Sequence, residues 1–564
     1  MQFLVLACLA VATVARTVIS RDVTGATIEY AGLANDDLDV FLGIPYGQDT
    51  SGANRFKPPR PYIPAPGSRV DATKPGPACP QPLGQLSPPL ALVNITEISE
   101  NCLNLNIARP KLNGHGPLPV MVWIHGGSFW YGSNNEPTTA PAGLIRQSVE
   151  NGMPVMHVAV NYRLGFFGFA QSDTLKSEGS ENAGLRDQRL AIEWVRDNIA
   201  IFGGDPARIT IFGQSSGGLA VGLHMLAYGG AKPLPFQRGI AESQSLEPGI
   251  TANFTIDAME ALADYVSCNM TDVHSSETVA CLRGKDTETL LQASIATYAS
   301  DIAHNIGDIW LPTVDGDFLP AAPSQLIAEG RIGNATFMTG WAEDDMNFYT
   351  NTSIATAKHT YDFIRAYLSG LTESSLDDLL NLYPIAEFTP GTNLSAEFYR
   401  SSRIFRDVLM VCPSLHLGEA VARTQSTPVF HYSFNQTVVD QILDPMYNVS
   451  GLQVGHTSEF AYIFDSFGKY NASGHPVYPQ QNDYDLMQRG SRSWSTFATQ
   501  GMPWWPDTDT LNRWYMAYNN GGPFIMTIGG PHEELSAAGG PPTQRLKERC
   551  GFLNDPKIIE ALGY

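Results

Sequence analysis

Residues Arg208 to Ala227 read RITIFGQSSGGLAVGLHMLA. The first part, through Phe212, is short, apolar and β-prone, as a strand buried on both faces should be. From Gly217 onward the run is rich in Leu, Ala and Met and reads as a helix. Only Gly213-Gln214-Ser215-Ser216-Gly217 joins the two. Glycines on either side let the strand and helix backbones approach closely, and the serine between them is lifted above the sheet edge, the arrangement of a nucleophile elbow. The five-residue pattern alone is weak: with 52 glycines in 564 residues, roughly 0.3 matches arise by chance. Its position between a β-run and a helical run carries the reading and makes Ser215 the candidate nucleophile.

The flanking sequence repeats the same alternation. Val120 to His125 (VMVWIH) and Val155 to Tyr162 (VMHVAVNY) are short apolar runs bounded by Gly, Pro or Asn. Leu185 to Phe202 places Leu190, Ile192, Trp194, Val195, Ile199 and Phe202 on roughly one helix face and stops at Gly203-Gly204. Strand alternating with helix predicts an α/β fold with a large, mostly parallel sheet flanked by helices, and functional residues at the carboxyl ends of the strands. No Ser/Gly linker, charge block or long repeat divides the chain, so residues 16–564 read as one domain with long loop excursions.

A serine nucleophile needs a base, and the oxyanion it generates needs amide donors held in place beforehand. VMVWIH runs straight into Gly126-Gly127-Ser128-Phe129, a glycine loop after a strand. The expected donors are the backbone amides of Gly127, Ser128 and Ser216, and Ser128 can donate whatever its side chain.

Composition limits the partners. A chain that is 43% hydrophobic and 16% charged can bury a large core, which excludes wholesale disorder and a coiled coil. The net charge of -21 repels phosphate backbones and anionic headgroups, so nucleic acid is not an expected partner. Residues 1–15 hold an apolar run from Phe3 to Leu9 followed by small residues, the shape of a secretory signal cleaved after Ala12 or Ala15. That run is too short to span a bilayer, and no stable membrane insertion is expected. Nine Asn-X-Ser/Thr sequons, at Asn94, Asn253, Asn269, Asn334, Asn351, Asn393, Asn435, Asn448 and Asn471, fit an extracellular glycoprotein. If Cys8 leaves with the signal, Cys79, Cys102, Cys268, Cys281, Cys412 and Cys550 remain, an even set suited to an oxidising compartment. There is no C-x-x-C or His-rich cluster, and no metal is expected.

Taken in order, FLGIPYG with RFKPP (Phe41 to Pro59), SENCLNLNI (Ser99 to Ile107), VWIHGGSF, NYRLGFFGF (Asn161 to Phe169), NAGLRDQRLAIEWVRDNIAIFGGDP (Asn182 to Pro206), ITIFGQSSGG and GHTSEFAYIF (Gly455 to Phe464) resemble the type-B carboxylesterase/lipase family. This is the α/β-hydrolase family that includes fungal secreted esterases and lipases and the cholinesterases. The resemblance runs from about Val18 to the C-terminus. It implies a serine ester hydrolase that needs no cofactor and takes a small-molecule ester. The base falls on His456, followed by Glu459 and Phe460 as in the family, while His125 and His431 are expected to be structural. The triad acid falls on Asp345: in Gly340 to Met346 an Asp stands where the family has Glu, and Met346 where it has Gly. Glu343 and Asp344 are its competitors, and the shorter acid requires its loop to come about one methylene closer to His456. The resemblance further implies the disulfides Cys79–Cys102, Cys268–Cys281 and Cys412–Cys550, and buried ion pairs Arg55–Glu100 and Arg163–Asp187.

Two departures bear on substrate. Ser128 stands where the family has a third glycine, which narrows the acyl approach. The Cys79 to Cys102 loop, a long amphipathic lid in family lipases, is here short, carries Pro80, Pro82, Pro88 and Pro89, and bears the Asn94 sequon. Soluble esters of short or medium acyl chain are therefore expected. The apolar stretch Leu90 to Val93, with Leu86, favours the opposite reading, a lipase acting at an interface. An acyltransferase would use the same acyl-enzyme with an acceptor other than water, and a non-catalytic binding module could be built on the same fold. Loss of nucleophile or base marks the silent module, and this chain has both.

Overall fold

The computed structural model describes residues 14–21, 27–34, 37–84, 89, 91–111, 114, 116–301, 308–519 and 521–564. Most of the expected signal, residues 1–13, lies outside them, as do Leu86, Pro88 and Leu90 of the disulfide loop. Among the described residues the strands are β1 (Val14–Arg21), β2 (Thr27–Ala34), β3 (Leu38–Pro45), β4 (Arg69–Asp71), β5 (Asn104–Pro110), β6 (Leu118–Ile124) and β7 (Met156–Val160). Then come β8 (Gly204–Gln214), β9 (Arg238–Glu242), β10 (Thr336–Ala342), β11 (Val429–Phe434), β12 (Ile525–Ile528) and β13 (Glu534–Leu535). They form one sheet in the order β1-β2-β3-β5-β7-β6-β8-β9-β10-β11-β12-β13, with β4 beside β2. From β7 to β12 every pairing is parallel, and both ends of the sheet turn antiparallel.

The central strands are apolar without interruption because both faces are covered. Along β6 the side chains alternate between two cores: Val120, Val122 and Ile124 belong to one, Met121 and Trp123 to the other. The first face is closed by the helix Ala183–Asn198, through Leu185, Ala191 and Ile192, and by the helix Ser216–Leu226, through Leu219 and Leu223. The second is closed by the helix Gln481–Gln500, through Leu486, Met487, Trp494 and Phe497. The expected helical run ends as its sequence indicates. Ile199–Phe202 tightens into a 3-10 turn, and Gly203, at φ 88°, stops it. The long excursions between β9 and β10, β10 and β11, and β11 and β12 contain several helices, including Phe254–Tyr265, Ala396–Arg406 and Cys412–Gln425.

Disulfides join Cys79 to Cys102, Cys268 to Cys281 and Cys412 to Cys550. Two buried ion pairs fasten segments that precede the site. Arg55 meets Glu100 through Nε at 2.8 Å and Nη2 at 2.6 Å, while its Nη1 donates to the carbonyls of Leu282, Arg283 and Lys285. Arg163, just past β7, meets Asp187 through two 2.7 Å contacts, and its own backbone N–H donates to the same carboxylate at 3.0 Å. That fork ties the end of β7 to the helix Ala183–Asn198.

Arg163→Ala leaves Asp187 buried without its cation and is expected to destabilise the fold by about 3 to 5 kcal/mol in urea unfolding. The double substitution Arg163→Met with Asp187→Leu removes both charges and is expected to recover much of that loss, because no buried charge is then left unpaired.

Candidate active site

The parallel register brings the ends of β6, β8, β9 and β10 to one edge: Ile124 pairs with Gly213, Gln214 with Glu242, and Glu242 with Gly340. Ser215 follows β8 directly. Its backbone, at φ 60° and ψ -130°, belongs to neither strand nor helix, and the helix begins at the next residue. A non-glycine residue in this region carries strain on the order of 1 to 3 kcal/mol, which its surroundings must offset. They do so by close packing. A Cβ on Gly213 would stand 2.5 Å from the Ile124 carbonyl oxygen, and one on Gly217 only 2.2 Å from the same atom. The Ser215 amide donates to the Glu242 carbonyl at 2.9 Å.

The glycine loop after β6 lies against this elbow. A Cβ on Gly126 would stand 2.4 Å from the Gln214 carbonyl oxygen. Gly127 (φ 99°), Ser128 (φ 55°) and Phe129 (φ 52°) then run consecutively through positive φ. The Gly127 carbonyl accepts from Trp130 and Tyr131, and the Phe129 amide donates to Ser216 Oγ at 3.1 Å. Ser216 therefore holds the loop through its hydroxyl, in addition to the role expected of its amide. Sequence reading found only the amide, because a hydroxyl on the first helical residue has no local signature of a partner 87 positions away.

His456 and Asp345 are both buried, and His456 Nδ1–H donates to Asp345 Oδ1 at 2.5 Å. The other carboxylate oxygen of Asp345 accepts from the Ala342 amide at 2.9 Å, which fixes the acid just past β10. Its two competitors point elsewhere. Glu343 meets Arg403 at 3.2 Å and accepts from Ser433 Oγ at 3.1 Å. Asp344 faces Arg403 and the Val454 amide, and burial pushes its carboxyl up to about 6. The ring of His456 is met edge-on by Tyr349, with centroids 5.5 Å apart, and Gln214 Nε2 stands 3.1 Å from His456 Nε2.

The competing His125 and His431 have other partners. Burial pushes His125 and His431 each down to about 4. His125 stacks on Tyr162 and donates through Nδ1 to the Gly126 carbonyl at 2.9 Å, so it braces the glycine loop from behind. His431 lies in β11, against Tyr518. Two further acids adjoin the site: Glu459 entered the sequence reading only as a marker of the base, and Glu242 not at all. Glu459, one turn after His456, and Glu242, at the end of β9, are both buried. Burial pushes Glu242 up to about 8, although Trp494 Nε1 donates to it at 2.7 Å, and burial raises Glu459 as well. Burial thus disfavours the charged form of both beside the Asp345–His456 pair.

Ser215 and His456 line a cavity of about 280 Å³, walled by Trp130, Tyr298, Tyr349 and Phe460 and roofed by Ala91, Val93 and Ile95 from the Cys79–Cys102 loop. That loop is tied down. The Glu136 carboxylate accepts from the Leu92 and Val93 amides at 3.0 and 3.2 Å, and Gln81 exchanges two hydrogen bonds with the Gly132 backbone. Among the described residues no group of three or more His, Cys, Asp or Glu side chains is placed to hold a metal ion, and no helix is long and apolar enough to cross a membrane.

Comparison with known proteins identifies the family. The Carboxylesterase family profile matches residues 16–538. A secreted lipase of Arthroderma benhamiae is 48% identical over 550 residues, covering 96% of this chain and 95% of that protein. An inactive carboxylesterase-like protein of Byssochlamys spectabilis is 35% identical over 561 residues, covering 94% of this chain and 93% of its own. Lipase 1 of Geotrichum candidum is 34% identical over 426 residues, covering 68% and 74% respectively. In fold, the crystal structure of Aspergillus niger EstA superposes with a TM-score of 0.76 at 23% identity, covering 96% of this chain and 98% of that one. The chain belongs to the carboxylesterase family of serine ester hydrolases.

Proposed function

We propose that this protein is a secreted carboxylesterase that hydrolyses esters through an acyl-enzyme on Ser215, with His456 as base and Asp345 as the acid that orients it. The 2.5 Å Asp345–His456 contact, in a cavity shared with a backbone-strained serine, carries the reading. With Nδ1–H given to Asp345, His456 Nε2 takes the proton of Ser215 Oγ as that oxygen adds to the ester carbonyl. The oxyanion accepts hydrogen bonds from the amides of Gly127, Ser128 and Ser216. The imidazolium then gives its proton to the departing alcohol, and water repeats the sequence on the acyl-enzyme to release the acid. Asp345 stabilises the imidazolium at each step and holds the tautomer that leaves Nε2 free to accept.

The relative named inactive shows that this family tolerates loss of activity. Retention of Ser215 and of the His456–Asp345 pair supports a working enzyme here. Secretion is supported by three disulfides and by relatives named secreted lipases. None of the nine sequon asparagines is buried, which supports their use as glycan acceptors. Cleavage of the signal after Ala12 keeps β1 whole, whereas cleavage after Ala15 removes Val14 and Ala15 from their pairing with Ala34 and Leu33.

Soluble esters of short or medium acyl chain fit the site better than an oil surface. The cavity is at the small end of ligand-sized sites, and the described parts of the loop above it are anchored through Gln81, Leu92 and Val93. The names of the fungal relatives favour the lipase reading, so the distinction is decided by measurement.

Ser215→Ala and His456→Ala are each expected to leave a folded, secreted protein with almost no esterase activity, and Ser215→Ala to abolish labelling by a fluorophosphonate. Full labelling of that variant contradicts the elbow. Asp345→Asn is expected to lower kcat by a factor on the order of 10³ to 10⁴ through the wrong tautomer. Asp344→Asn and Glu343→Gln should stay within a few-fold of wild type in kcat, with their losses appearing in thermal stability. Equal kcat losses at all three positions contradict the assignment of the acid. Rates measured across the solubility limit of tributyrin, with an acyl series from acetate to palmitate, are expected to rise smoothly and to favour short chains. A sharp jump at the emulsion boundary with long-chain preference identifies a lipase.

A further inference from the structure

In the Cys79–Cys102 loop, the described stretch Ala91 to Ile95 alternates as extended chain does. Ala91, Val93 and Ile95 line the cavity that Ser215 and His456 share. Between them, Leu92 is buried in the core that holds Met121 and Trp123, and Asn94 is exposed. The disulfide fastens the two ends of the loop. Backbone hydrogen bonds from Ala78 to Glu97 and from Ser99 to Ala78 brace its return. Its middle is gripped by Glu136. There Oε1 accepts from the Leu92 amide at 3.0 Å, and Oε2 accepts from the Leu92 and Val93 amides, each at 3.2 Å. Oε1 also accepts from the amide and the hydroxyl of Thr138, at 3.3 and 3.2 Å, capping the 3-10 turn Pro137–Thr139. Burial raises the Glu136 carboxyl, and these donors oppose the rise.

A clamp on backbone amides has no preference for the side chains it holds, but it fixes where they point. With the Leu92 and Val93 amides turned to Glu136 and the Leu92 side chain in the core, the alternation leaves Val93 facing the cavity. A slip of one residue would exchange the two faces. We propose that Glu136 is a specificity-determining residue for ester hydrolysis: through Leu92 and Val93 it keeps Ala91, Val93 and Ile95 as a fixed wall of the cavity and so limits the size of the ester that reaches Ser215. The inference rests on the reading of Ser215 as nucleophile and adds to it what sets the limit. Glu136 acts by position, on the wall and not on the reacting atoms. Capping of the turn accounts for the Thr138 contacts alone. The contacts to Leu92 and Val93 join that turn to a separate segment, and charge-assisted bonds of this kind are strong enough to hold it in place.

The test compares p-nitrophenyl acetate with p-nitrophenyl octanoate below its solubility limit, read as the ratio of kcat/KM for octanoate to that for acetate. Glu136→Ala should raise this ratio by about fivefold or more, chiefly through KM for octanoate. Hydrogen exchange followed by mass analysis should show the peptide that carries Leu92 and Val93 exchanging about tenfold faster or more in the same variant. Glu136→Gln keeps an acceptor for these amides and should recover part of the wild-type ratio. Val93→Ala trims the wall with the clamp in place, and should raise the ratio while exchange of that peptide stays as in wild type. An unchanged ratio in Glu136→Ala overturns the proposal even where exchange is faster, because Glu136 is then a structural clamp alone. Unchanged exchange overturns it as well, since Glu136 then does not hold the wall. If Glu136→Ala does not fold, Val93→Ala decides: an unchanged ratio there shows that the wall does not limit ester size and overturns the proposal. Failure of the underlying reading is separately visible, as retained activity in Ser215→Ala.

Discussion

The backbone of Ser215 is the point on which the other features of the site converge. Its φ of 60° and ψ of -130° are tolerable only because β6, β8 and the following helix approach more closely than any side chain at Gly213 or Gly217 allows. The same closeness brings the loop after β6 within reach of the helix start, where the Phe129 amide finds Ser216 Oγ. A relaxed turn at Ser215 would separate these segments. On the proposed mechanism, strain at the nucleophile and preorganisation of the oxyanion donors are one constraint expressed at two places.

Around that constraint the fold arranges titratable groups by degree of burial. Burial raises Glu242 and Glu459 and lowers His125 and His431, in each case disfavouring the charged form. Asp345 is equally buried, but it accepts from the Ala342 amide and from His456. Among these buried acids Asp345 is the one that meets His456, and the role proposed for it rests on that contact.

Much of this was legible in the sequence, and the limits are physical. The elbow, the glycine loop and the helix that ends at Gly203 are local features, written in adjacent residues whose conformational preferences agree with the fold. His456 was legible by resemblance, through the residues that follow it. Asp345 was not separable from Glu343 and Asp344 by composition, because three adjacent acids differ only in the direction each is turned. That direction is set by Arg403, Ser433 and the Val454 amide, all far along the chain. The excursions, read as loops, contain several helices; their tertiary packing, as in Phe254–Tyr265 against its core, supplies order that local patterning had not announced.

The central claim is that an ester's acyl group passes through a covalent bond to Ser215. Acid quenching of the enzyme within the first turnovers of p-nitrophenyl acetate, followed by proteolysis and mass analysis of the peptides, tests it directly. The account predicts one acetyl group on the peptide that carries Ser215, appearing with the first burst of nitrophenol and disappearing as substrate is exhausted. Steady turnover with that peptide unmodified, or with the acetyl group on another residue, would contradict it.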